Sequence, residues 1–195
     1  MLDIVVAHYN SREFEECLKP FFQHTTIVYD KSGTYPSAIP LKNEGRESDT
    51  YLHHIIENYD TLNDYTLFIQ DDTDNHIQYN YQFYYKTKEV MEKNIPFFQY
   101  ETTWRKNGAI AKRLIHDGYL NLHTLPSPTS IKEFCTEFGI VLAKSYTTEL
   151  CAFFIASREI LQKRPREFYV ALREWLLKDP KRGFVMEHVW KLIFS

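Results

Sequence analysis

Tyr65-Thr66-Leu67-Phe68-Ile69, running straight into Gln70-Asp71-Asp72-Thr73-Asp74, decides how this chain is read. Tyr65 to Ile69 is rich in β-branched and aromatic residues and suits a strand buried in a parallel sheet. The carboxylates stand where that strand leaves the sheet, and in open α/β sheets ligands bind beyond the carboxyl ends of the strands. Asp71, Asp72 and Asp74 repel one another, and such clusters persist most readily beside a cation. Aspartate oxygens suit a hard ion, Mn²⁺ or Mg²⁺, that also bridges a substrate diphosphate. Asp72-Thr73-Asp74 is an Asp-x-Asp pattern, whose carboxylates share a side in an extended or turned segment. His76 is a further ligand, an orienting group or a turn residue. The competing reading is a plain Asp-rich turn.

Upstream, apolar runs alternate with amphipathic ones, which is the signature of βαβ units. Ile4 to Ala7 is a strand; Ser11 caps a helix to Phe22 with Phe14, Cys17, Leu18 and Phe21 on one side. Thr25 to Tyr29 is a second strand, and a loop with Gly33, Pro36 and Pro40 leads to a helix from Asp49 or Thr50 to Tyr59. Downstream the pattern predicts a helix over Gln78 to Lys93, a strand over Phe97 to Thr103, and an irregular stretch over 105–130 with Gly108, Gly118, Pro126 and Pro128. A helix over Ile131 to Phe138 and a strand over Cys151 to Ala156 follow. Ser157 caps a helix that Pro165 interrupts and that resumes to Lys178. Gly183 ends the next turn, and Phe184 to Phe194 is the last helix. The expectation is one α/β domain over 1–195, with a nucleotide-binding half (1–77) and a catalytic half (78–195).

Composition narrows the function classes. Lys and Arg number 23 against 26 Asp and Glu, a net charge of -3, which argues against a nucleic-acid partner. The basic stretch Lys163, Arg164, Arg166 lies between Glu159 and Glu167 and reads as a solvated helix face. Aromatics reach 16%, and tyrosine suits sugar faces as well as a core. Cys17, Cys135 and Cys151 lack metal or redox spacing and read as buried thiols of a cytoplasmic protein. No apolar run approaches a membrane span. The stop at Ser195, directly after a helical pattern, suggests a domain excised from a longer protein.

Gly45-Arg46-Glu47 precedes a helix, whose N-terminus favours phosphate, and Arg46 adds a bidentate contact. Its plainer reading is a capping segment with a surface ion pair. His53, His54 and Glu57 include an i, i+4 pair, which reads more simply as chance. There is no P-loop and no Gly-x-Gly-x-x-Gly. A phosphatase needs a nucleophilic Asp after the first strand, where His8-Tyr9-Asn10 stands.

Taken together, Val5-Val6-Ala7-His8-Tyr9-Asn10, Gly45 to Ile55, Phe68 to His76, Phe154 to Glu159, Arg164 to Tyr169 and Glu187 to Phe194 resemble GT-A glycosyltransferase-like proteins across nearly the whole chain. Many members of that group carry Gly at the Asp71 position and an apolar residue at the Asp74 position. The chain is also similar to a chlorovirus glycosyltransferase domain that modifies capsid protein. The resemblance implies a Rossmann-like central sheet flanked by helices, a UDP-sugar donor, Mn²⁺, a glycan or glycoprotein acceptor and transfer of rhamnose or a glucose-like sugar. A viral member would work in the host-cell cytoplasm. It implies Ala7, Tyr9 and Asn10 near the base and Asp30 near the ribose or base, with Arg46, Asp71 and Asp72 on the donor and Asp72, Asp74 and His76 on the metal. Glu187, placed like the acidic base before Tyr-Leu-Trp in core-2 branching transferases, is expected to deprotonate the acceptor, with Glu149 as second candidate. His188 is a further candidate metal ligand. The alternatives are a nucleotide-binding module without catalysis and a Mg²⁺-dependent phosphoryl hydrolase.

Overall fold

A computed structural model describes residues 1–77, 79–100, 103–104, 109–110, 112–116, 131–142, 144–149 and 152–195, with backbone alone at 75, 103–104, 109–110, 112–116 and 145–149. In chain order the elements are β1 (Leu2–His8), α1 (Glu13–Cys17), β2 (Thr25–Asp30), β3 (Ile39–Pro40), α2 (Arg46–Glu57), β4 (Tyr65–Gln70) and α3 (Asn80–Glu92). Then come β5 (Phe97–Gln99), β6 (Thr103–Trp104), β7 (Ala109–Ile110), β8 (Lys112–His116), α4 (Ile131–Glu137), β9 (Ser145–Glu149), β10 (Phe154–Ser157), α5 (Arg158–Gln162), α6 (Arg166–Leu177) and α7 (Arg182–Ile193).

The main sheet has six strands in the order β3-β2-β1-β4-β10-β5. β1 pairs in parallel with both β2 and β4, while β10 runs antiparallel between β4 and β5. The fold is therefore α/β with a mixed sheet flanked by helices. β6 pairs with β7 and β8 with β9 as small antiparallel ladders, and β9 lies against α7.

Alternation along the strands builds one core on each face. Val5, Phe68, Phe154 and Ala156 face α2, α6 and α7 and meet Tyr51, Leu172, Val189 and Trp190. Ile4, Val6, Leu67, Ile69 and Ile155 face α1 and α3 and meet Phe14, Phe21, Phe83 and Val90. Trp190 packs with Phe154 at 4.9 Å between ring centroids. Such rings hold α7 by apolar area, each worth about 3–5 kcal/mol against alanine.

Several boundaries differ from the sequence reading, each for a physical reason. α1 stops at Cys17 and gives way to a 3-10 turn over Lys19–Phe21, because Pro20 cannot donate to a continuing helix. Ser11 is not its N-cap residue, though its Oγ accepts from Glu13 N at 3.3 Å. α2 starts at Arg46, not at Asp49 or Thr50, because the Asp49 carboxylate is taken by Lys31 (2.9 Å) and Arg173 (2.7 Å) instead of capping. α7 starts at Arg182, so Gly183 lies inside its first turn and Glu187 beyond it. β5 ends at Gln99. Ser157 does cap α5, accepting from Ile160 N, and Pro165 separates α5 from α6.

Cys17 and Cys135 are buried free thiols, pushed by burial up to about 12 and about 11. Cys151, Gln78, Gly108, Gly118, Pro126 and Pro128 lie outside the described residues, and within the stretch expected to be irregular Ala109–Ile110 and Lys112–His116 form the strands β7 and β8. No helix among the described residues is long and apolar enough to cross a membrane.

Candidate functional site

The chain leaves β1 for β2 on one side and reaches β4 on the other, so the carboxyl ends of β1 and β4 flank a topological switch point. A cleft of about 370 Å³ opens there, lined by Tyr9, Asn10, Lys31, Arg46, Asp71 and Asp72, with Ala7 and His8 at its base. The sequence-predicted Ala7, Tyr9, Asn10, Arg46, Asp71 and Asp72 are thus brought together.

Asp71 supports the loop after β1. Its Oδ2 accepts from Tyr9 N (2.8 Å), Asn10 N (2.9 Å) and Ser11 N (2.8 Å). Three converging amide N–H groups satisfy this buried carboxylate oxygen. Asp71 therefore shapes the cleft wall as well as lining it.

Asp30 lies one layer back. It is 4% exposed, and its carboxylate accepts from His8 Nδ1 (2.9 Å), Ser32 N (2.8 Å), Ser32 Oγ (2.7 Å) and Tyr35 N (2.9 Å). Burial alone would raise its pKa, but the bonds from Tyr35, Ser32 and His8 together hold it below the usual carboxylate range. These internal donors occupy both oxygens that were expected at a ribose or base. Asp30 meets the cleft through His8, whose Nε2 lies 4.0 Å from Asp71 Oδ2. The parallel register sets His8 directly beside Asp30.

Two cations line the cleft. Lys31 follows β2 and is buried, bonding Glu44 O (2.5 Å), Arg46 O (2.7 Å) and Asp49 Oδ2 (2.9 Å). Burial pushes its pKa down and Asp49 works against that. Lys31 so ties both flanks of the left-handed Gly45, φ 62°. Arg46 is also left-handed, at φ 55°, which is uncommon for a side-chain-bearing residue. Its Nη2 lies 3.1 Å from Glu187 Oε1, so α7 delivers Glu187 to the cleft's edge. Glu149 ends β9, which lies against α7; its side chain is outside the described residues.

The expected metal trio divides. Thr73–Asn75 is a 3-10 turn, not an extended segment, so residues 72 and 74 diverge. Asp74 lines a second cleft of about 640 Å³ with Glu13, Glu16 and Tyr81. Asp72 stays at the first cleft: its Oδ1 accepts from Gln70 Nε2 (2.8 Å), and its Oδ2 lies 3.6 Å from His76 Nε2. Gln70 Nε2 also approaches His76 Nε2 at 2.6 Å, which is a hydrogen bond if that imidazole nitrogen accepts. No group of three or more His, Cys, Asp or Glu that could hold a metal occurs among the described residues. Of the expected trio Asp72 and His76 stand together, and Gln70 would have to release the His76 nitrogen for the pair to share an ion. His188 is buried in α7, and His53 and His54 belong to α2.

His8, Lys31 and Gln70 were missed by sequence reasoning. The one available signal was position, since all three end or follow a strand of the parallel set.

Fold and site define an α/β protein with a cleft of mixed charge, lined by Lys31, Arg46, Glu47, Asp71 and Asp72, at the switch point of its sheet. The chain belongs to the family described as protein of unknown function (DUF3431), which matches residues 4–195. No curated protein and no solved structure matches the chain.

Proposed function

We propose that the chain is a GT-A type, metal-dependent glycosyltransferase that moves a sugar from a UDP-sugar to a glycan or glycoprotein hydroxyl with inversion. The observation that carries this reading is the switch-point cleft, which Arg46, Lys31 and Asp72 line together, with Glu187 3.1 Å from Arg46. Arginine and lysine suit a diphosphate, and the exposed Tyr9 beside Asn10 suits a base and ribose.

In the reaction the acceptor oxygen attacks the anomeric carbon while Glu187 takes the hydroxyl proton. The bond from that carbon to the phosphate oxygen breaks, and its electron pair leaves with UDP. Arg46 stabilises the charge that develops there, and Lys31 holds the Arg46 carbonyl in place. Asp72 and His76 would hold Mn²⁺ or Mg²⁺, which when bound supplies further charge neutralisation. Asp71 and the His8–Asp30 pair position the cleft wall.

Calorimetry and thermal shift with UDP and UDP-sugars test the reading. UDP at 100 times its dissociation constant should stabilise the fold by about 2.7 kcal/mol when Mn²⁺ or Mg²⁺ is present. Glu187→Gln should lower transfer by about 10²–10⁴-fold. Stabilisation by other nucleotides with none by UDP would exclude this donor.

A further inference from the structure

Arg46 is held in place at some conformational cost. Its backbone is left-handed, and Lys31 fixes the carbonyl of Glu44 before it and its own. Strain of this kind persists where surrounding contacts over-determine it, and it concentrates at ligand clamps. The stem crosses α7 at Gly183, where an added Cβ would lie 2.6 Å from Arg46 Cδ and 3.0 Å from Cγ. The guanidinium carbon lies 4.3 Å from the Phe184 ring centroid. Its ion-pair partners are Glu187 at 3.1 Å and Glu47 at 3.6 Å. One glycine, one ring and one carboxylate, at positions 183, 184 and 187, make α7 the seat of this side chain.

A carboxylate and a phosphate present the same fork of oxygens to a guanidinium. We propose that Glu187 is a built-in stand-in for the ligand's phosphate, holding Arg46 ready until a diphosphate takes the guanidinium from it. The exchange then leaves the Glu187 carboxylate without that cation. This inference rests on the nucleotide-sugar reading above.

The full chain tests it by calorimetry with pyrophosphate and with UDP, each with Mn²⁺ present. Glu187→Gln keeps the shape but surrenders Arg46, so both ligands should bind about two- to fivefold tighter, the size of a part-exposed ion pair. Gly183→Ala keeps every charge and improves helix propensity. It should bind both ligands about tenfold more weakly or worse without a lower melting temperature, because Arg46 loses its seat. Arg46→Ala should lose binding further. An unchanged or weaker affinity in Glu187→Gln, with a lower melting temperature, overturns the stand-in role and makes the pair a plain brace between α2 and α7. That outcome leaves wild-type binding intact and the donor site standing. Failure of the wild type to bind either ligand overturns the site as well.

Discussion

His54 lies on the buried side of α2, 1% exposed, with Nδ1 3.1 Å from the Tyr29 hydroxyl and no hydrogen-bond partner for Nε2 among the described residues. Burial, with a smaller push from His53, lowers its pKa to about 4. The folded state thus keeps it neutral while the unfolded chain protonates near pH 6.5. Its effect on stability is sign-definite: none is lost above about pH 6.5, and stability falls as protons bind the unfolded chain between there and pH 4. The expected loss from this residue is about 2 kcal/mol between pH 7 and 5. Urea midpoints at both pH values should show a steeper dependence for the wild type than for His54→Gln, and equal dependences would dismiss the buried neutral imidazole. The same residue scale shows what the sequence hides. Asp30 was legible as a carboxylate at a strand end, but its donors were not, because His8 reaches it only through strand register. Lys31 stood in plain view, yet its three partners are contributed by residues 44 to 49.

Elements were legible where apolar periodicity was strong, as in β1, β4, β10 and α6, and least so at their ends. Ends depend on which polar group captures which partner, and Asp49 is the clearest case. As a helix-start carboxylate it reads as a cap, but the fold spends it on Lys31 and Arg173, leaving entry into α2 to Gly45. Gly45→Ala tests that role. The alanine would carry left-handed strain and set its Cβ 2.6 Å from Asp49 Cβ. Gly33 shares the left-handed backbone at φ 73° but has open space around it, so it isolates the strain. Gly33→Ala should cost about 1–2 kcal/mol and Gly45→Ala distinctly more by denaturant unfolding. Equal losses would mean that the contact with Asp49 carries no weight.

At the scale of the molecule, one short segment divides two clefts. Asp72 faces the switch-point cleft and Asp74 the wider one beside Glu13. The Asp-x-Asp spacing was legible, but the 3-10 turn that parts its carboxylates was not, since one sequence pattern serves both geometries. Asp72→Ala should therefore weaken Mn²⁺-dependent UDP binding about tenfold or more, and Asp74→Ala should change it less than about twofold, by calorimetry. The reverse ranking would return Asp74 to the metal. The sheet was legible as a parallel βαβ core; the antiparallel insertion of β10 was not, because an apolar strand carries no mark of its direction.

That insertion governs the order in which the chain can assemble as it leaves the ribosome. β1, β2 and β4 are contiguous enough to pair early, but among the described residues β5 joins the sheet through β10, made much later. Until then the Tyr65-Thr66-Leu67-Phe68 edge and the Phe97-Phe98 pair both await their neighbour, as open backbone that a second nascent chain can capture. A chain truncated before residue 154 keeps that edge open and should sediment as aggregate more than one that carries β10.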